Sequence, residues 1–278
     1  MLYICATPIG NLKDISIRAL EILSLSDIIL CEDTRTSKQL LSAHGISYKQ
    51  LMALHQHNEN HIAEKVLSYL AQGMTITQIS DAGTPGISDP GARLCKIVLA
   101  AGYKVSPIPG ACAYISLLSV SGLDTPSLFY GFLPSNKNAR IKVLEEWVDN
   151  SSYAVSIYES PHRILDSMAD IVAVLGENRE IIMGRELTKQ FETIKHGITS
   201  ELLEFIRSDP NQQRGEFVLL IYPKAVLKVV EETLTGEQIK VLKLLLPELP
   251  PKKAVAITHK LTGANKDLLY NYAIESAK

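Results

Sequence analysis

The sequence predicts an α/β protein in which two sheet-containing domains precede a small helical module. Strand, loop and helix patterns alternate four times within residues 1–109, which is typical of a mostly parallel sheet. Residues 110–227 also contain both patterns, but the strand-like run EIIMG is followed directly by FETIKHG, which indicates a mixed sheet. Residues 228–278 contain no strand pattern and therefore predict a helical module.

The first domain begins with the buried strand LYICA, which leads into a loop rich in Pro, Gly and Asn. Ser16–Ser24 predicts a helix because apolar residues recur there on one stripe. We expect Asp89 to cap a later helix and Pro90 to take its first position. The remaining elements predicted in chain order are a strand at 27–31, a helix in EDTRTSKQLL, a helix at 58–71, a strand at 74–80, a helix at 90–101 and a strand at 104–109.

Strands and helices are predicted from the same patterns in the second domain and the helical module, but they alternate less regularly there. Pro247–Pro251 and Gly263 divide the last module into three short helices, because Pro and Gly interrupt helical patterns. The second domain is predicted to contain a helix in GACAYISLLSVSG, strands in LFYGFL, YAVSIYE, EIIMG, FETIKHG and FVLLIY, and helices near 138–149, 161–175 and 199–208.

The composition excludes several broad classes. With 278 residues, 46% hydrophobic and 21% charged content and a net charge of −2, the chain is globular rather than disordered. Apolar runs stay below the roughly 18 residues needed to span a bilayer, and MLYICATPIG lacks a secretory signal pattern. We therefore expect a cytoplasmic protein without a membrane partner. Its four cysteines lie among apolar neighbours and predict buried, reduced thiols.

Charge is distributed unevenly along the chain. Residues 1–227 hold 20 Lys and Arg against 24 Asp and Glu, whereas residues 228–278 hold 8 against 6. The protein is therefore not a general polyanion binder, and a nucleic acid would have to bind to local basic patches. Tyr130 and Phe132 stand beside a basic loop and could stack bases. That loop is a candidate for phosphate contacts through Lys137, Arg140 and Lys142.

Several common site motifs are missing, and one remains ambiguous. The chain has no G-x-G-x-x-G after a strand, no P-loop and no G-x-S-x-G. Three histidines lie within seven residues, at His55, His57 and His61, and the last two are four residues apart. This is one possible spacing for metal ligands. Because no Cys or H-E-x-x-H frame accompanies them, we expect an imidazole-rich loop and no metal site.

Three loops rich in Gly, Pro and Asp follow predicted strands of the first domain. They are TPIGN (7–11), SDAGTPGISDPG (80–91) and PGACA (109–113). Ligands of open α/β sheets bind beyond the carboxyl ends of the strands, and small residues let backbone groups approach them. One such loop alone indicates only a tight turn, but three at one sheet edge favour a ligand cleft. Asp81 could accept a hydrogen bond there from a ribose hydroxyl or an amine.

The second domain places mixed charges beside its strands. YESPHR (158–163), RELTK (185–189) and RGEF (214–217) each combine a carboxylate with a cation. Such groups form either ion pairs on a solvated rim or part of a site, and the residues alone leave both alternatives open.

Eight segments together resemble one known family. TPIGNLKDISIRAL, CEDTRTSKQLL, HQHNE, SDAGTPGISDPG, FYGFLP, YESPHR, RELTKQFE and GEFVLLIY occur in the order seen in small-subunit ribosomal RNA methyltransferases of the tetrapyrrole methylase superfamily. The resemblance covers essentially the whole chain. One departure is Gln56, which stands where that family usually has a glutamate, so this chain lacks that carboxylate.

The resemblance implies a fold of tetrapyrrole methylase type with S-adenosylmethionine in the cleft between the two α/β domains. It also implies a homodimer that methylates the ribose 2′-hydroxyl of a cytidine in the decoding region of 16S ribosomal RNA, within the small subunit. Motif matching assigns cofactor contacts to Pro8, Asp81, Thr84, Pro85, Gly86, Ile87, Gly110, Ala111, Tyr158, Leu187, Thr188, Glu216 and Phe217.

Methyl transfer from a sulfonium is an in-line displacement, so positioning lowers most of the barrier, and a base assists the hydroxyl as it attacks. Asp33 and Glu159 are the candidate bases, while Arg35 and Lys189 could stabilise the developing alkoxide. Candidate RNA contacts are Lys137, Arg140, Lys142, His162, Arg163 and Arg185.

Two alternatives remain open. One is a tetrapyrrole C-methyltransferase on the same scaffold. The other is a noncatalytic nucleic-acid-binding protein whose last module is a helix-turn-helix.

Overall fold

The computed structural model describes residues 1–55, 58–225 and 233–276. The chain divides into two compact units, Met1–Lys224 and Ala225–Lys278, and both sheets lie in the first. The predictions that concern Gln56 and His57 lie outside the described residues.

The first sheet contains five strands, all paired in parallel, in the order β3-β2-β4-β1-β5. The central strands β2 and β4 are buried along their whole length, which is the pattern of a sheet covered on both faces. The mostly parallel sheet is therefore confirmed, although the short strand β3 was not predicted. The strands are β1 Leu2–Cys5, β2 Ile28–Cys31, β3 Leu51–Ala53, β4 Ile76–Ile79 and β5 Val105–Ile108.

Four helices cover this sheet: α1 Ile17–Leu25, α2 Thr34–Ala43, α3 Glu59–Ala71 and α4 Ala92–Ala100. The helices α1 and α2 pack on one face, whereas α3 and α4 pack on the other. The neighbouring strands β1 and β4 thus lead into helices on opposite faces. Such a topological switch point is where ligands bind to open α/β sheets.

The start of α4 differs from the prediction. The helix begins at Ala92, and its N-cap is Gly91 without a side-chain cap, so the expectation that Asp89 caps it is wrong. The Glu59 carboxylate accepts from the Gly91 amide at 2.6 Å instead. Gly91 has φ of 129°, and the Gln78 side chain occupies the space that a Cβ there would need. Asp89 is consequently available for another role.

The second sheet has the order β6-β7-β10-β8-β9. Only β6 and β7 pair in parallel, and the other three pairs are antiparallel, which confirms the mixed sheet. The main core of this domain covers one face with α6–α8, while Leu117 of α5 packs on the other face with Ile9 and Leu187. In chain order the elements are α5 Ala113–Ser119, β6 Ser127–Phe132, α6 Lys137–Glu145, β7 Ala154–Glu159, α7 Ile164–Leu175, β8 Glu180–Arg185, β9 Thr193–Ile198, α8 Thr199–Ser208 and β10 Phe217–Ile221.

The described part of the second unit contains three helices, as predicted: α9 Gly236–Leu245, α10 Pro251–Thr262 and α11 Lys266–Glu275. Gly263 ends α10 in the left-handed conformation with φ of 73°, as C-terminal glycines commonly do. A small apolar core that includes Leu242 and Leu269 joins the helices. Within the described parts of both units, no helix is long and apolar enough to cross a bilayer.

Candidate active site

A cavity of about 410 Å³ lies between residues of the two sheets. This volume falls within the roughly 300–1,000 Å³ that small-molecule and cofactor sites occupy. The loops that follow β1 and β4 form one wall, and the ends of β7, β8 and β10 form the other. The cavity therefore opens at the switch point of the first sheet and is completed by the second.

Hydrogen bonds hold the three Gly-rich loops together. The amide of Thr7 donates to the Gly83 carbonyl at 2.8 Å, and the Gly83 amide donates back at 3.1 Å. The Thr84 hydroxyl donates to the Ala111 carbonyl at 3.0 Å. Gly110 packs so closely on Ala6 that a Cβ at this glycine would lie 2.8 Å from the alanine Cβ. The convergence predicted for these loops is therefore confirmed.

The predicted cofactor residues divide into two groups. The lining of the cavity includes Asp81, Thr84, Ile87, Tyr158, Leu187, Glu216 and Phe217. The others lie in the same loops but outside that lining, namely Pro8, Pro85, Gly86, Gly110, Ala111 and Thr188.

Part of the lining was not predicted to contact the cofactor, although Phe132 was singled out as a ring that could stack bases. Phe132 is 49% exposed and lies at the wall of the cavity, with its ring edge-on to Tyr158 at 5.8 Å between centroids. Ser88 and Asp89 belong to a segment already singled out, but the Asp-Pro pair resembled a helix start. The other lining residues outside the predicted set include Ile9, Cys112, Ala113, Ser160 and Pro161.

The cavity is acidic. Asp81, Asp89, Glu159 and Glu216 line it, and none of the described residues in the lining is Lys, Arg or His. Glu159 is paired with Arg163 at 2.6 Å, and Glu216 with Lys189 at 2.9 Å. The charges of Asp81 and Asp89 therefore dominate the field inside, and this field favours a cationic ligand.

The two aspartates differ in their surroundings. The Asp81 Oδ1 accepts from the Asp33 amide at 3.0 Å. Burial, together with the nearby charges of Glu32 and Asp81, raises the pKa of Asp89 to about 6, although a hydrogen bond with Ser80 opposes this rise. Burial also raises the pKa of Glu32. The carboxyl ends of β2 and β4 thus concentrate negative charge beside the cavity.

Residues 1–203 match the family model for Tetrapyrrole (Corrin/Porphyrin) Methylases. The chain belongs to the tetrapyrrole methylase family. Residues 232–277 also match a model described as the RsmI C-terminal HTH domain. The structure of the methyltransferase CobJ aligns with a TM-score of 0.59 at 16% identity, over 82% of this chain and 96% of that one, which supports the fold alone.

Two close relatives refine the position of this tetrapyrrole methylase. A Ribosomal RNA small subunit methyltransferase I from Escherichia coli O157:H7 is 46% identical over 275 residues, 99% of this chain and 94% of that protein. A protein of the same name from Neisseria meningitidis serogroup B is 43% identical over 98% of this chain and 92% of its own length. The chain therefore belongs to the same group within the family.

Glu159 holds the second wall together. Its carboxylate is buried and accepts from the Ser160 amide at 2.7 Å, the Ser167 hydroxyl at 2.6 Å and the Arg163 guanidinium at 2.6 Å. Arg163 also donates to the Leu133 carbonyl at 3.1 Å. Glu159 is therefore the centre of a hydrogen-bonded network that joins residues 160, 163 and 167.

The carboxylate of Asp33, at the start of α2, is already bound by Arg35. Its Oδ1 accepts from the Arg35 amide at 2.7 Å, and its Oδ2 lies 2.6 Å from the Arg35 guanidinium. These interactions with Arg35 lower the pKa of Asp33 to about 2, which makes it a weak base near neutral pH. Neither residue belongs to the lining of the cavity.

Two arginines expected to contact substrate are buried. Arg140 donates to Asp170 at 2.8 and 2.5 Å and to the Pro134 carbonyl. Arg185 donates to the carbonyls of Arg214, Asn211 and Phe191. Both guanidinium groups are turned to acceptors within the protein, which corrects the expectation that they bind RNA. Lys137, Lys142 and His162 are exposed, whereas Arg163 is half-buried.

The RELTK loop has a strained backbone and is held in place by ion pairs. Glu186 and Thr188 have φ of 50° and 66°, which is unfavourable for residues other than glycine. Lys189 bridges Glu186 at 2.8 Å and Glu216 at 2.9 Å. The Thr188 hydroxyl accepts from the Asn11 amide at 3.1 Å. Lys189 therefore fixes the loop of the second wall where it touches the loop after β1.

Proposed function

We propose that this protein is an S-adenosylmethionine-dependent methyltransferase of 16S ribosomal RNA that modifies the ribose 2′-hydroxyl of a cytidine in the decoding region. The observation that carries the proposal is an acidic cavity, free of lysine, arginine and histidine among its described lining residues, in a tetrapyrrole methylase fold. The names of the relatives support the RNA substrate. The nucleotide and the hydroxyl are supported by the eight sequence motifs.

The cavity fits the chemistry of this cofactor. S-adenosylmethionine carries a sulfonium and an ammonium against one carboxylate, so its net positive charge matches Asp81 and Asp89. When bound, it supplies a methyl group activated by the sulfonium. Apolar residues on both walls can bury an adenine ring, namely Ile9, Ile87, Leu187 and Phe217. The residues that would hold the cofactor are those of the predicted set, together with Asp89 and Cys112 from the observed lining.

The rest of the chain would bind and orient the RNA. Lys137 and Lys142 are exposed on α6, and His162 is exposed in the loop after β7, where each could contact phosphate. Phe132 offers a partly exposed ring at the cavity for a splayed base. We further propose a homodimer, and a cytoplasmic location that follows from the ribosomal substrate.

The decisive experiment supplies methyl-labelled S-adenosylmethionine and assembled small subunits from cells that lack this gene. Transfer of label to the ribose of one cytidine, mapped by alkaline-hydrolysis protection, is the expected result. A matched reaction with a corrin precursor tests the alternative of tetrapyrrole methylation. If calorimetry detects no cofactor binding while RNA binding persists, the protein is a noncatalytic nucleic-acid binder and the proposal fails.

The second unit has features of an RNA-docking module. Lys252, Lys253 and Lys260 of α10 are exposed, and residues 228–278 carry net positive charge. Phosphate contacts release counterions, so each lysine contact adds roughly 0.7–0.9 to the log–log salt slope of binding. Replacing the three lysines with alanine should therefore weaken subunit binding and flatten the slope. The matched control replaces the exposed Lys65, Lys96 and Lys104 of the first unit; equal losses in both triple variants would contradict a docking role.

A further inference from the structure

The loop that leads into α4 directs one carboxylate into the cavity. Gly86, Ser88 and Gly91 have φ of 83°, 66° and 129°, so three of the six residues 86–91 have positive φ. Ser88 is a non-glycine residue in the left-handed region, and such strained positions cluster at functional sites. Because Glu59 satisfies the Gly91 amide at 2.6 Å, the Asp89 carboxylate is not needed at the helix and lines the cavity instead.

The other carboxylates of the lining have partners that limit their chemistry. Glu159 is held by Arg163 and two hydrogen bonds, and Glu216 is held by Lys189. Asp81 already accepts the Asp33 amide. Among the ion pairs found in residues 1–55, 58–225 and 233–276, none includes Asp89. Asp89 has a hydrogen bond with Ser80 but, unlike Glu159 and Glu216, it has no cation partner among the described residues.

Ionisable groups approach Asp89 from several elements. Glu32 follows β2, Asp81 follows β4 and Glu216 precedes β10, while Tyr158 at the end of β7 lies beside Cys112. Burial and these negative charges raise the pKa of Asp89 to about 6. A base is most effective when its pKa lies near the working pH, because it is then both deprotonated and basic.

We propose that Asp89 accepts the proton of the ribose 2′-hydroxyl during methyl transfer. This inference rests on the function proposed above. The 2′ oxygen forms its bond to the methyl carbon, and the methyl–sulfur bond breaks with its electron pair left on sulfur. The O–H bond breaks as its proton passes to the Asp89 carboxylate, which later releases it to water.

The test compares the wild type with Asp89→Asn, which keeps the size of the side chain and its ability to accept a hydrogen bond. Single-turnover methyl transfer to assembled small subunits should fall by roughly 10²–10⁴-fold, the usual contribution of a positioned base. The wild-type rate should rise with pH through an acid limb, and this limb should be absent from the variant. The exposed Asp124 supplies a matched control, and Asp124→Asn should retain the wild-type rate and profile.

Two further measurements separate this inference from folding defects and from the proposed function. Carbon-detected NMR of the protein without ligand should show a carboxyl group that titrates near pH 6 and disappears in Asp89→Asn. Calorimetry should show that the variant still binds S-adenosylmethionine, with an affinity lowered by the loss of one carboxylate charge but far less than the rate of methyl transfer. A wild type that methylates no RNA overturns the proposed function. A methylating wild type whose Asp89→Asn variant keeps its rate and acid limb overturns the role of Asp89 alone.

Discussion

The two walls of the cavity carry equal numbers of carboxylates but hold them differently. On the second-sheet wall, Glu159 and Glu216 lie within 3 Å of Arg163 and Lys189, at 2.6 and 2.9 Å. On the first-sheet wall, Asp81 and Asp89 belong to no ion pair among the described residues. A paired acid is costly to remove because its partner is left buried without a counter-charge, whereas an unpaired acid is available to a ligand or a proton. We therefore expect the acids of the second wall to matter for stability, and those of the first wall to matter for ligand binding and proton transfer.

The largest effect should follow from breaking the buried pair of the second wall. Glu159→Ala leaves the Arg163 guanidinium without its carboxylate and also removes the acceptor of Ser167. Removing one partner of a buried ion pair costs about 3–5 kcal/mol, and the free energy of unfolding from urea titration should fall accordingly. Glu216→Ala is the matched control, because its carboxylate is 73% exposed and such pairs contribute about 0–1 kcal/mol. Equal losses in the two variants would contradict the distinction between these acids.

A smaller effect is expected when an acid of the first wall is replaced, and it should appear in cofactor affinity rather than in stability. Asp81→Ala should weaken S-adenosylmethionine binding by roughly 1.5–3 kcal/mol, the contribution of a hydrogen bond to a charged group. Asp81→Asn should keep the acceptor for the Asp33 amide and still lose the charge, so it separates ligand binding from loop support. Calorimetry measures both variants, with Asp124→Ala as the control. Unchanged affinity in Asp81→Ala would remove this residue from the cofactor site.

The sequence predicted much of this arrangement because local patterns specify local structure. The helix α1 forms where the apolar stripe predicted a helix, the apolar runs of β2 and β4 form buried central strands, and Gly263 ends α10. The three Gly-rich loops could be placed together because parallel strands end at one sheet edge. These predictions needed only periodicity, the positions of Gly and Pro, and topology.

The errors arose where a long-range contact replaced a local one. Glu59, 32 residues before Gly91, satisfies the amide that Asp89 was expected to cap. Asp170 binds the Arg140 guanidinium from another helix. A basic loop and an Asp-Pro pair show the same local pattern whether their side chains face solvent or a distant partner. Only the tertiary structure distinguishes the two cases.

The first wall should also make stability depend on pH. The pKa of Asp89 in the folded protein is about 6, above the value of about 3.9 in an unfolded chain. The folded state therefore binds more protons in between, so stability falls as pH rises from about 4 through 6. Urea unfolding at pH 5 and pH 7.5 should show this loss in the wild type but not in Asp89→Asn. A parallel pH dependence in both proteins would mean that another group is responsible.

The smallest effect is expected on cofactor affinity when Lys189, the cation paired with Glu216 on the second wall, is replaced. Lys189 neutralises Glu216 at the cavity, so Lys189→Ala should make the cavity more negative. Because Glu216 is largely exposed, the gain is limited to about 1 kcal/mol, and S-adenosylmethionine should bind up to a few fold more tightly. Neutral-sulfur S-adenosylhomocysteine should gain less, and Lys65→Ala should change neither affinity. Weaker binding of both ligands would instead show that Lys189 acts through the strained loop at Glu186 and Thr188, whose collapse would disturb any ligand regardless of its charge.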